Sequence, residues 1–223
     1  MFMTQLLAPP TCAGCGAPGA PWCSSCDGVV GRQQWRDIGI RVCTFHEFSG
    51  PVRRSIIDWK DENRREARMR VVAWFAQGLA PLVDADPDVV VVPVPASPQS
   101  ERRRGAGVLI EALRLALPGS RVEPWLVSGR SRRDQAGLNR GARSANVLDS
   151  MRWVGPVDRQ VIVADDVITT GATLRECARA MHAAGASPPV GFALACRERR
   201  DPVAGPLAGL RLHQDDDLGG FRG

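Results

Sequence analysis

The segment Val161-Ile-Val-Ala-Asp-Asp-Val-Ile-Thr-Thr-Gly-Ala-Thr-Leu174 leaves this chain few folds to choose from. A short apolar run that carries two adjacent carboxylates and closes on small residues reads as a buried strand turning tightly into a helix. Ligands of such strands collect beyond their carboxyl ends. There, Thr169, Thr170, Gly171, Ala172 and Thr173 let backbone N–H groups and hydroxyls converge on one anion at a helix N-terminus, and a phosphomonoester fits. Asp165 and Asp166, just ahead of the loop, can accept hydrogen bonds from vicinal hydroxyls or approach a magnesium ion.

The order of these parts resembles the signature of type I phosphoribosyltransferases, whose paired acids and following loop hold 5-phosphoribosyl-1-pyrophosphate (PRPP). A plain buried strand turning into a helix accounts for the hydrophobicity but not for two carboxylates beside a Thr-Thr-Gly-Ala-Thr loop. A Walker B strand would require a Gly-x4-Gly-Lys-Ser/Thr loop elsewhere, and the sequence has none.

The remaining pattern alternates in the manner of an α/β doubly wound parallel sheet. Trp35 to Phe45 reads as a linker and first strand or hairpin. After Ser49-Gly50-Pro51, a helical segment runs from about Val52 to Leu82, with a break expected near Asp61 to Arg65. Val89 to Pro93 reads as a doubly buried strand, Val108 to Leu117 as a helix closed by Pro118-Gly119, and Val122 to Leu126 as a short strand. Past the signature strand, Leu174, Cys177, Ala178 and Met181 keep one apolar helix face up to Gly185, and Val190 to Cys196 reads as another strand. The chain of 223 residues accommodates one such domain, 41–200, behind a small module, 1–40, with an irregular Gly- and Asp-rich tail, 201–223.

Four of the seven cysteines form two Cys-x-x-Cys pairs, Cys12/Cys15 and Cys23/Cys26. This spacing suits a tetrahedral zinc ion, because each turn directs two thiolates to one side and Gly14 and Gly16 permit a tight knuckle. Disulfides are the alternative reading. Cys43, Cys177 and Cys196 stand in apolar surroundings and read as small core residues. No stretch has the apolar length of a membrane span, and Met1 to Leu7 lacks the pattern of a signal peptide, so a cytoplasmic protein is expected.

The net charge is +5, but residues 97–143 alone carry ten arginines against four acids. That field suits a pyrophosphate or a nucleic-acid backbone, and a solvated charged face is the simpler reading. Lys60 is the only lysine. It offers a compact ammonium that a planar guanidinium cannot imitate at a phosphate, although one surface lysine needs no explanation.

Together these segments resemble the ComF family (ComF/GntX-like phosphoribosyltransferase-domain proteins) over nearly the whole chain. The likeness rests on the Cys12, Cys15, Cys23, Cys26 knuckle, on Gly50-Pro-Val-Arg-Arg-Ser-Ile-Ile-Asp-Trp-Lys60, on Val92-Pro-Val-Pro95 with Arg104-Gly105, and on Gln135 through Arg140 and Arg143 to Asn146. It implies a type I phosphoribosyltransferase core behind an N-terminal zinc module. By the same resemblance, Val94 and Pro95 lie where pyrophosphate sits, and Gln135, Arg140, Arg143 and Asn146 belong to a loop over the site. After Arg104-Gly105 this chain has Ala106-Gly107-Val108 where the family usually has an aromatic, Asn and Gln, so polar groups that would orient a substrate are missing.

The resemblance implies displacement of pyrophosphate at ribose C1, with magnesium and arginines neutralising the leaving group. No acceptor pocket is legible. A second reading follows from the family's association with DNA uptake: a non-catalytic accessory protein holding single-stranded DNA through the zinc module and the arginine-rich face. Against it, the basic segment contains one potential stacking aromatic, Trp125. A third is that the zinc module docks a competence helicase.

Overall fold

A computed structural model describes residues 10–62, 64–97, 100–102, 107–128 and 150–197 of the chain. Arg104, Gln135, Arg140, Arg143, Asn146 and the tail 201–223 lie outside the described residues.

Strand β1 (Gln34–Asp37) and strand β2 (Arg41–Glu47) form a hairpin, followed by helix α2 (Gly50–Ile57), a π-helical turn (Asp58–Glu62) and helix α3 (Arg65–Asp84). Ahead of them, among the described residues, stands the short helix α1 (Ser24–Asp27). Next come β3 (Val90–Pro93), α4 (Val108–Ala116), β4 (Arg121–Val122), β5 (Leu126–Ser128), β6 (Met151–Trp153), β7 (Val161–Ile168), α5 (Ala172–Ala183) and β8 (Val190–Cys196). The main sheet has the order β1-β2-β8-β7-β3-β4, parallel throughout except for the antiparallel edge strand β1. β5 and β6 pair separately as a two-stranded antiparallel ladder.

Strand periodicity divides the core into two layers, because successive side chains point to opposite faces. Val91, Ile162, Ala164, Phe192 and Leu194 face α2, α3 and α4, where they pack with Ile56, Phe75, Leu79 and Leu113. Val90, Val92, Val161, Val163 and Ala193 face α5 and the small sheet, against Leu174, Cys177, Met181, Leu126 and Trp153. A sheet covered on both sides is what the unbroken apolar runs require.

Helix α3 buries Ala67, Val71, Trp74, Phe75, Gly78, Leu79 and Leu82, an i, i+3/i+4 stripe. At Gly78 the helix approaches the sheet so closely that a Cβ would stand 2.8 Å from the Phe192 ring. The expected break near Asp61 to Arg65 is present as the π-helical turn. The expected strand Val122 to Leu126 divides into β4 and β5. Glu123 N–H still bonds the Val91 carbonyl (3.0 Å), but Pro124 has no N–H with which to continue the ladder.

Phe75 is fully buried and lies 6.2 Å from the Phe192 ring and 6.3 Å from that of Trp59. Phe75→Ala is therefore expected to lower unfolding free energy by about 3–5 kcal/mol, read from urea denaturation.

Candidate functional site

A cleft of about 420 Å³ opens at the carboxyl ends of β3 and β7. Its walls come from Trp59 and Lys60 of the π-helical turn, Val94 to Ala96 after β3, the first turn of α4, β5, and Asp165 and Asp166 of β7. Ser100 and Glu101 complete the lining, so residues from six separate segments meet at one end of the sheet, where open α/β sheets hold ligands.

The two aspartates differ. Asp166 is 5% exposed, its Oδ1 accepts the Val167 N–H at 2.8 Å, and its buried Oδ2 meets the Lys60 ammonium in an ion pair. Asp165 Oδ1 accepts the Asp166 N–H at 2.8 Å. Although half-buried by surface area, the Asp165 carboxyl is inside the cleft. Desolvation pushes its pKa up to about 6, against the opposing pull of the Lys60 ammonium.

Lys60, Val94, Pro95, Asp165 and Asp166 all line this cleft. Thr169, Thr170, Gly171, Ala172 and Thr173 follow at the start of α5 and contribute no wall residue to the cleft. Thr169 and Thr170 are exposed. Gly171 takes φ +75°, and a Cβ there would lie 2.3 Å from Ile38 Cδ1, so only glycine suits this junction. Arg175 Nη1 donates to the Thr170 carbonyl at 3.0 Å, steadying the turn. Trp59, Ser128 and the α4 turn were not foreseen as site residues. The nearest signal was the position of Trp59 beside the sole lysine.

Trp125 is half-buried and meets Trp153 edge-on, with ring centroids 5.7 Å apart. The Arg121 guanidinium stacks 5.7 Å from its ring centroid.

The second site is the cysteine cluster. The sulfur atoms of Cys12, Cys15, Cys23 and Cys26 all lie within 4.8 Å of one another, and those of Cys15 and Cys23 are 3.6 Å apart. A tetrahedral Zn–S4 centre has sulfur–sulfur edges of about 3.8 Å, so the donor set can hold a metal ion with little adjustment. All four cysteines are free of disulfide bonds. Burial acts to raise the Cys12 thiol, but the N–H groups of Cys15, Cys23 and Gly14 outweigh it and bring Cys12 down to about 6. Burial and the neighbouring sulfurs push Cys26 upward instead. The cluster thus has one ready thiolate beside a reluctant thiol, whose proton a metal would displace.

The cluster is joined to the main core. Ala13 is fully buried there, Trp22 meets Trp74 edge-on at 5.9 Å, and Arg70 lies 4.3 Å over the Trp22 ring while pairing with Asp27 at 2.9 Å. Cys43, Cys177 and Cys196 are buried elsewhere in the core. No helix among the described residues is long and apolar enough to cross a membrane. In comparison with known proteins, the chain matches no family model and no curated protein.

A carboxyl whose folded pKa of about 6 exceeds its ordinary 3.8 binds its proton more tightly in the native state. Its contribution to stability is therefore present below about pH 4 and lost as pH rises through about 6. Between those limits the wild type should lose on the order of 2 kcal/mol relative to Asp165→Asn in urea titrations, after allowance for partial solvent exposure. A pH-independent difference would show that the carboxyl is not desolvated. At the cysteine cluster, Cys12→Ser should reduce bound metal from about one ion per chain to none, measured by elemental analysis, and lower the thermal midpoint.

Proposed function

We propose that the chain is a PRPP-binding protein of the phosphoribosyltransferase type, similar to the ComF family, with a structural zinc ion on Cys12, Cys15, Cys23 and Cys26. The observation that carries this reading is one cleft in which Asp165, Asp166, Lys60, Val94 and Pro95 meet, directly preceding the Thr169–Thr173 turn. Vicinal hydroxyls, a phosphomonoester and a pyrophosphate call for three different kinds of group a few ångströms apart. Carboxylates and an ammonium line the cleft, and the small-residue amides stand at the helix start that follows Asp166 along the chain.

In this reading Asp165 accepts hydrogen bonds from the ribose hydroxyls, Thr169 to Thr173 take the 5-phosphate, and Lys60 offers its ammonium to the pyrophosphate beside Val94 and Pro95. Arg104, Gln135, Arg140 and Arg143 are assigned to the same ligand by sequence resemblance alone. Transfer would break the bond from C1 to the pyrophosphate oxygen and form one from C1 to the acceptor. Pyrophosphate leaves with the bonding electron pair. The chain's part in that step is to position the ribose and neutralise the leaving group, and the acceptor is left open.

Magnesium requires oxygen ligands in a near-octahedral set and retains water readily. Asp165 has a carboxylate to contribute, whereas Asp166 is engaged by Lys60 and the Val167 N–H. The ion would therefore be held by PRPP oxygens, water and Asp165, where it would offset pyrophosphate charge. Four thiolates leave zinc no open position, so its role is structural. The single-stranded DNA reading gains nothing from Trp125, whose ring is engaged by Trp153 and Arg121.

Calorimetric titration of the zinc-loaded chain with PRPP should give saturable binding that needs magnesium and is abolished in Asp165→Asn/Asp166→Asn, with the double variant's fold verified by circular dichroism. Absence of binding to the wild type would sink the proposal and turn attention to salt-dependent binding of a single-stranded oligonucleotide.

A further inference from the structure

Lys60 reaches Asp166 from a turn with an unusual support. Its π-helical stretch, Asp58–Glu62, begins at Asp58, which is 6% exposed and carries the contacts that join two parts of the molecule. Asp58 Oδ2 lies 3.3 Å from Arg64 Nη1 and 3.7 Å from Arg54 Nε. The Asp58 carbonyl also accepts the Arg64 N–H at 3.3 Å, closing the turn on its other side.

Both arginines extend beyond Asp58 to the cysteine module. Arg64 Nη2 donates to the Thr11 carbonyl at 2.8 Å, one residue before Cys12. The Arg54 guanidinium packs over Gly16, one residue after Cys15, so closely that a Cβ on Gly16 would stand 2.5 Å from Arg54 Nη1. Thr11 and Gly16 bracket the first Cys-x-x-Cys pair, and the Gly16 N–H bonds the Cys12 carbonyl at 2.8 Å. The path from sulfur to cleft is thus Cys12/Cys15, Thr11/Gly16, Arg64/Arg54, Asp58, Lys60 and Asp166, each link a described contact or a few bonds of chain.

The path begins next to the metal ligands themselves, because Thr11 and Gly16, on which the arginines rest, adjoin Cys12 and Cys15. Four sulfurs bound to one ion are fixed relative to one another, whereas four thiols without an ion are not, so metal occupancy bears first on these two neighbouring residues. A π-helical turn contains an extra residue relative to an α-helical one, so it depends on outside contacts to persist.

We propose that Arg54, Arg64 and Asp58 are positioning residues that transmit the metal occupancy of the cysteine cluster to Lys60, so that the metal-loaded module sets the Lys60 contact with Asp166 and thereby the affinity of the cleft for a pyrophosphate-bearing ligand. The affinity clause rests on the function proposed above; the Lys60 clause stands without it.

Because Lys60 is the only lysine, labelling the full chain with 15N-lysine gives one backbone amide signal and one side-chain ammonium signal, both from the turn in question. These signals are expected to shift when a chelator strips the metal. With metal retained, they should also shift in Arg64→Ala and Asp58→Asn, whereas Arg32→Ala, elsewhere on the surface, should leave them in place. If the wild type binds PRPP, Arg64→Ala should weaken that binding about fivefold or more while retaining the metal. Unchanged Lys60 signals in metal-loaded Arg64→Ala and Asp58→Asn would overturn the coupling, even if metal removal unfolds the chain. Shifted signals in a wild type that does not bind PRPP would leave the coupling standing and reject the proposed ligand.

Discussion

Strand β7 has to be apolar on both faces to lie inside the sheet, and yet it presents two carboxylates before it ends. A buried carboxylate without compensation costs several kcal/mol, and the remedies are a counter-charge, hydrogen bonds or a bound proton. Asp166 has the first two, from Lys60 and the Val167 N–H. Asp165 has a hydrogen bond from the Asp166 N–H and the pull of Lys60, yet desolvation still raises its carboxyl to about 6. Two neighbouring acids are thereby given different characters by surroundings a few ångströms apart, and the cleft owes its polarity to that difference.

Lys60 meets Asp166 from a stretch between α2 and α3 that departs from α-helical geometry. The departure is held by Asp58, and Asp58 is held by arginines that rest on the cysteine module. The N-terminal module is consequently in contact with the segment that carries Lys60. Its apolar contacts, Ala13 in the core and Trp22 against Trp74, point the same way. Breaking a buried ion pair by deleting one member is commonly far costlier than replacing both, which gives the Lys60 and Asp166 contact a structural weight apart from any ligand.

Much of the layout was legible without coordinates. The β-branched run at Val89 to Val92 and the strand at Val161 read as buried strands, and the positions Val71, Trp74, Phe75 and Leu79 read as an apolar helix face. Period and composition are local properties, and local properties survive in the sequence. The division at Pro124 was missed because β4 and β5 join different sheets, and partnership is not a local property. Lys60 was singled out by rarity, but its partner was not identified. The Thr169–Thr173 turn reads in the sequence as an anion-binding junction between the acidic strand and a helix, while its position outside the cleft walls depends on how α5 packs beside Ile38.

The sequence by itself determined the alternation of strands and helices, the two Cys-x-x-Cys turns and the carboxylate pair within a buried strand, since each is written in the spacing of consecutive residues. Only the tertiary structure decided that Lys60 would answer Asp166 from more than a hundred residues away, that Asp165 would lose its solvent, and that Asp58 would stand between the cysteine module and the cleft. Charge compensation and desolvation are set by distance through space, and distance through space is fixed only when the two layers of the core close on the sheet.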